Sequence, residues 1–187
     1  RVRVGDYRII YNVYDKETKK PVYRSYAIKE IGGLRIGLVG IASNIVDKTM
    51  PPSYSEGISF TLGRDEFPPI VDTLRTQEKV DLIVLVSHLG FPQEMKLLSE
   101  VHGIDICLSG HTHNRLYKPV LRGKTIVMQS GCHGSFLGRL DLEVEGGQIV
   151  DYQHRLSEVE AEIQPDPVVD EQIRPALAPY KNDLSEV

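Results

Sequence analysis

Val80-Asp81-Leu82-Ile83-Val84-Leu85-Val86-Ser87-His88-Leu89-Gly90 and, a little further on, Ile104-Asp105-Ile106-Cys107-Leu108-Ser109-Gly110-His111-Thr112-His113 decide the fold of this chain. Each begins as a nearly unbroken apolar run, the signature of a strand buried on both faces of a parallel sheet. Between them residues 92–101 read as a helix closed by His102-Gly103, where glycine suits the C-terminal cap. Strand, helix and strand at this spacing predict a βαβ unit with a right-handed crossover. Its two strands run the same way, so their carboxyl ends share one edge of the sheet, where ligands collect in open α/β folds. His88 therefore belongs at the same edge as His111 and His113, which lie 23 and 25 positions later. A lone histidine at a strand end is more often a hydrogen-bonded loop residue. Three at one edge point to a transition metal, because neutral imidazole suits zinc, iron and their neighbours.

Working outward, residues 7–14 and 22–31 are rich in β-branched and aromatic residues and read as a hairpin around the polar stretch 15–21. Gly32-Gly33 marks a turn, and residues 34–41 read as a more buried strand. Residues 43–57 form a long loop with Pro51-Pro52. A helix is expected over 64–79, with Phe67, Ile70, Val71 and Leu74 on one face and Pro68 and Pro69 in its first turn. Downstream, residues 117–121, 124–129, 136–143 and 148–156 read as strands punctuated by glycine turns, an antiparallel meander. Residues 166–184 read as a helix with Asp166 as N-cap, Pro167 at its first position and interruptions at Pro175 and Pro179.

The 187 residues are 41% hydrophobic and 26% charged, which is ordinary globular composition, and net charge is -4 with both signs mixed. No apolar run is long enough to span a bilayer, and nothing reads as a face for a nucleic-acid polymer. An acidic chain that handles an anionic ester needs positive charge from elsewhere, and metal ions are the obvious source. Cys107 and Cys132 lack short metal-ligand spacing and read as free buried thiols. Of the remaining histidines, His102 sits at a helix C-cap, His154 is expected at the surface, and His133 reads as structural. A two-metal hydrolase also needs bridging carboxylates, and Asp81 and Asp105 lie at the strand starts, the wrong end of the sheet.

Ser87-His88-Leu89-Gly90 followed by Gly110-His111-Thr112-His113 resembles the last two metal motifs of the calcineurin-like metallophosphoesterases. The wider pattern is similar to their 5'-nucleotidase and 2',3'-cyclic-nucleotide phosphodiesterase branch. It includes Tyr11 to Lys16, Lys20-Pro21-Val22, Tyr26 to Glu30, Gln129-Ser130-Gly131, Gly134, and Leu137-Gly138-Arg139-Leu140-Asp141-Leu142. The resemblance implies an α/β fold that is part of a four-layer α/β/β/α sandwich. It comprises the βαβ unit, the antiparallel meander and a C-terminal linker helix. It further implies that residues 1–160 are the C-terminal half of a catalytic domain and that 161–187 lead toward a further domain. Two divalent ions (manganese, zinc or iron) would serve the parent enzyme, His88 and His111 binding one and His113 the other. The substrate would be a nucleotide or another phosphate ester, and the compartment periplasmic or extracellular. The family's opening DxH, GDxxxD-type and GNH[ED] motifs are absent from these residues. The chain alone is therefore expected to hold a partial site and to need a missing N-terminal segment or a second chain. Two alternatives remain: a degenerate metal- or partner-binding module, and a thiosulfate-ester hydrolase of the same fold.

Overall fold

The computed structural model of the chain describes residues 13–180. In chain order its elements are β1 (Val13–Asp15), β2 (Ala27–Ile31), β3 (Leu34–Ile41), α1 (Val46–Thr49), β4 (Ile58–Phe60), α2 (Phe67–Thr76) and β5 (Leu82–Ser87). They continue with α3 (Phe91–Glu100), β6 (Ile106–Leu108), β7 (Val120–Arg122), β8 (Thr125–Met128), β9 (Phe136–Glu145), β10 (Gln148–Glu158) and α4 (Pro167–Leu177). The chain divides into two compact units, one ending at Ser157 and the other beginning at Glu158.

The first unit is organised by a six-stranded mixed sheet in the order β2-β3-β5-β6-β8-β7. Strands β3, β5, β6 and β8 are parallel, with Val39 beside Leu85, and Leu85 and Val127 flanking Cys107 on either side. The expected βαβ unit is thus β5-α3-β6. Helix α2 supplies Phe67, Ile70, Val71 and Leu74 to the core, and α3 supplies Leu97 and Leu98, all against Val39, Ile83, Leu85, Cys107 and Val127. Each such apolar side chain stabilises the fold by roughly 1.5–3 kcal/mol when fully buried. The helix packs so tightly that a Cβ on Gly37 would stand 3.1 Å from the Leu74 methyls.

Several sequence expectations are corrected. The turn end of the expected hairpin forms: Val22 N donates to the Val13 carbonyl and Asp15 N to the Lys20 carbonyl, each at 3.0 Å. β2 pairs with β3 through Gly32-Gly33, whose φ angles of 60° and 81° suit a two-residue hairpin turn of the primed type. β1 pairs with β4 as well, a pairing the sequence reading did not include, and Tyr14 bridges to Pro21 within the hairpin. The turn between its arms is closed by Asp15 Oδ1, which accepts from the backbone N–H groups of Glu17 and Thr18. Residues 7–12 of that reading lie outside the described residues. β3, read as a more buried strand, is flanked on both sides, by β2 and β5. The four late strands form two antiparallel hairpins: β7-β8 joins the main sheet, where β8 runs parallel to β6, and β9-β10 forms a separate ribbon. His154 is half-buried on β10, with both its ring nitrogens shielded from solvent.

In the second unit, Asp166 caps α4 by accepting from Val168 N at 2.9 Å and Val169 N at 3.2 Å. Residues 181–184 of the expected helix lie outside the described residues. No helix among the described residues is long and apolar enough to cross a membrane.

Candidate metal centre

The two histidine-bearing turns sit side by side because their strands do. At the end of β5, His88 N donates to the Ile41 carbonyl of β3 at 2.9 Å. The turn after β6 folds back against it, and two glycines make the fit possible. A Cβ on Gly110 would lie 2.9 Å from the Ser87 carbonyl oxygen and 3.1 Å from His88 Nδ1. A Cβ on Gly90 would lie 2.9 Å from the Thr112 methyl and 3.3 Å from the His111 ring, and Gly90 also has a φ of 96° that disfavours any side chain. His111 and His113 both take left-handed backbone angles, with φ of 69° and 56°. Such angles cost a non-glycine residue on the order of 1–3 kcal/mol and cluster where function requires them.

The result is a close imidazole pair. His111 Nδ1 stands 3.4 Å from His88 Nε2, with the ring centroids 5.0 Å apart. Two nitrogens bound to one tetrahedral zinc-like ion at their usual bond length stand about 3.3 Å apart, so this pair has the spacing a shared ion requires. Burial holds the His88 imidazole below its ordinary range, helped by the charge that His111 can carry, while the Glu94 carboxylate opposes the shift. The effect keeps His88 in the neutral form that binds metal. His113 also lowers the His88 value, which places its charge within electrostatic reach of the pair. His113 itself stands against a different neighbour: its ring centroid is 5.6 Å from that of His133.

The turn that carries His111 and His113 hangs on one side chain that sequence reading had not singled out for a role. Gln129 follows β8 and is only 3% exposed. Its Nε2 donates to the Gly110 carbonyl at 2.5 Å and to Thr112 Oγ1 at 3.3 Å, and its Oε1 accepts from Asn114 N at 2.7 Å. One amide thus holds the backbone at the first residue of the GHTH turn, the Thr112 hydroxyl within it and the backbone just after it. Glu94 is a second addition. It is fully buried in the first turn of α3, where Oε1 accepts from Gly90 N at 3.2 Å and Oε2 has no hydrogen-bond partner. A charged residue at this place reads as solvent-facing from sequence; the fold turns it inward beneath the histidine edge.

Cys132 and His133, read from sequence as a free buried thiol and a structural residue, stand beside His113. The ligand atoms of His113, Cys132 and His133 all lie within 4.8 Å of one another. Cys132 is a free, half-buried thiol, whereas Cys107 is free and fully buried. Asp81 and Asp105 behave as expected: both bind backbone at the strand starts, Asp81 accepting from Arg35 N at 2.7 Å and Asp105 from Ile83 N at 2.6 Å.

This arrangement has relatives. The chain is 25% identical over 167 residues to a 5'-nucleotidase of Vibrio cholerae, a match covering 74% of this chain and 30% of that protein. It is 27% identical over 177 residues to the trifunctional nucleotide phosphoesterase YfkN of Bacillus subtilis, covering 91% of this chain and 12% of that protein. Among solved structures, sulfate thiohydrolase SoxB of Thermus thermophilus superposes with a TM-score of 0.87 at 32% identity, over 93% of this chain and 32% of that one. The fold is that of the calcineurin-like metallophosphoesterases. A 5'-nucleotidase precursor of Thermus thermophilus shares the metallophosphoesterase fold, with a TM-score of 0.77 at 20% identity over 93% of this chain. No family profile matches the sequence. The metallophosphoesterase segment seen here spans about a third or less of the length of these relatives.

Proposed function

We propose that this chain contributes one side of a two-metal hydrolase centre that cleaves phosphate esters, nucleotides foremost. His88 and His111 hold one ion and His113 belongs to the other. The observation that carries the reading is the 3.4 Å approach of His88 Nε2 to His111 Nδ1 at the carboxyl edge of parallel strands. Bound there, divalent ions supply the positive charge that polarises a phosphoryl group and activates water. The chain's own residues do the rest. Burial keeps His88 neutral, Gly90 and Gly110 let the two turns interlock, and Gln129 fixes the direction in which the GHTH turn presents its imidazoles. Imidazole suits zinc and iron, with manganese served where oxygen ligands join.

The group of potential ligands that lie within 4.8 Å of one another contains no carboxylate. The 187-residue chain by itself is therefore expected to turn over nucleotides negligibly, and ligands from further sequence or a second chain complete the centre. The segment beyond Ser157 is read as a linker toward such further sequence.

The test is phosphate release by the parent-length protein from a nucleoside 5'-monophosphate and a 2',3'-cyclic nucleotide, with manganese or zinc, beside His111→Ala. Turnover lost in the variant supports the reading. Absence of turnover on every phosphate ester sinks it. One observation favours a second reading, hydrolysis of a thiosulfate ester: the 32% identity to a sulfate thiohydrolase exceeds the identity to the nucleotidases cited above. Metal-dependent sulfate release from such an ester, without phosphate release from nucleotides, would select it.

A further inference from the structure

The GHTH turn has a second neighbour, the Gly131-Cys132-His133-Gly134 turn that follows β8. The two turns are fastened together by backbone. Gly131 N donates to the Asn114 carbonyl at 2.9 Å, Leu116 N donates to the Gln129 carbonyl at 3.2 Å, and Arg115 bridges to Ser130. The Arg115 guanidinium also lies 4.8 Å from the Phe136 ring centroid, which closes the far side of the turn. Within this clamp, Ser135 N donates to the Cys132 carbonyl at 3.0 Å and His133 takes a left-handed φ of 56°. The consequence is that Cys132 and His133 are both presented to His113, with potential ligand atoms within 4.8 Å of one another.

We propose that His113, Cys132 and His133 form a three-ligand site for a soft divalent transition-metal ion, zinc being the type ion. A thiolate with two imidazoles is a donor set that zinc binds at about 2.3 and 2.0 Å, so a tetrahedral ion needs ligand atoms roughly 3.3–3.7 Å apart. Reaching that spacing from within 4.8 Å asks the ligand atoms to close by at most about 1.5 Å. Three protein ligands leave the fourth position open, as in zinc sites that bind water or substrate. All three side chains are reachable from solvent, His113 and His133 being exposed and Cys132 half-buried. The proposal rests on the two-metal reading at one point only: it names Cys132 and His133 as further ligands for the ion at His113. It gives this chain a way to retain that ion with its own residues.

The probe is cobalt(II), which substitutes for zinc and reports a bound thiolate by a charge-transfer band in the near ultraviolet. The metal-free 187-residue chain is titrated with cobalt, then competed with zinc. The band is expected in the wild type, lost in Cys132→Ser, and displaced by zinc. His133→Asn, which keeps a side chain tolerant of the left-handed backbone, is expected to weaken binding by more than the roughly 10–100-fold that loss of an outer partner costs. A thiol reagent serves as the second readout. Cys107 is fully buried and burial pushes its thiol far up, so the reagent counts Cys132 alone; zinc should slow its reaction. A wild-type titration without a thiolate band, or cobalt affinity unchanged by Cys132→Ser, overturns the proposal. A thiolate band with no second, His111-dependent metal equivalent leaves this site standing and sinks the two-metal reading. A His111-dependent equivalent without the band does the reverse.

Discussion

Replacing Gln129 tests whether one buried amide holds the metal edge in shape. Gln129→Leu keeps the volume and removes every polar contact. The structure loses the bonds to Gly110 O at 2.5 Å, Thr112 Oγ1 at 3.3 Å and Asn114 N at 2.7 Å. Two of these are short and one is long. A net hydrogen bond contributes ~1 kcal/mol, and a buried group left without a partner costs ~1–3 kcal/mol. With Gln129 at 3% exposure, the stranded Gly110 carbonyl and Asn114 N–H gain little water. The expected loss is therefore about 2–4 kcal/mol, or about 5–15 °C in melting temperature at the roughly 2–4 °C per kcal/mol of a domain this size. Because the contacts orient His111 and His113, metal affinity should also fall roughly 10–100-fold, as for a lost outer partner. Gln129→Glu is the control on mechanism. It can still accept from Asn114 N, but it sets a carboxylate oxygen against the Gly110 carbonyl, so it should be no milder than leucine. Urea melts give the stability and a cobalt or zinc titration gives the affinity. If Gln129→Leu unfolds within about 0.5 kcal/mol of wild type and binds metal equally well, the positioning argument is wrong.

Gly110→Ala should lower metal affinity without unfolding the chain, since its new methyl would meet the Ser87 carbonyl at 2.9 Å and push the GHTH turn away from β5; titration and a melt of the same sample separate the two effects. The metal-free chain should lose stability on acidification. The folded His88 value lies below its ordinary one, so its contribution is complete above about pH 6.5 and is lost as pH falls through the folded value, because the unfolded chain takes up the proton first. Urea midpoints between about pH 7.5 and 5.5 should fall more steeply in wild type than in His88→Gln, and equal slopes would refute this. The isolated chain should self-associate, because Val86 is 49% and Leu108 38% exposed near the carboxyl ends of central strands. Light scattering that shows a stable 21.0 kDa monomer with no binding of a hydrophobic dye would count against this.

How much of this was legible depended on the distance over which each feature is decided. The β5-α3-β6 unit and the histidine edge were readable because apolar runs and helix periodicity are local, and a parallel unit leaves one choice of edge. The pairing of β1 with β4 was not, because Val13 meets Phe60 across a loop whose course no local pattern dictates. The late strands read as a meander because consecutive strands usually pair. Here β8 instead found the open edge of β6, and among the described residues β9 and β10 pair with each other. The additions at the site follow the same logic. Gln129 reaches back to Gly110, Cys132 and His133 meet His113 from a separate turn, and Glu94 is buried by contacts its own helix does not announce. Each depends on a neighbour brought in by tertiary packing, and a polar residue between two strands carries no sign of which neighbour it will have.

The central claim is that His88 and His111 share an ion. Anomalous diffraction at the zinc edge, from crystals of the chain grown with zinc, addresses it directly. The account predicts a peak about 2.0–2.1 Å from both His88 Nε2 and His111 Nδ1, in the space where these atoms now stand 3.4 Å apart. Zinc bound elsewhere on the chain, with those two nitrogens hydrogen-bonded to each other and no peak between them, would contradict it.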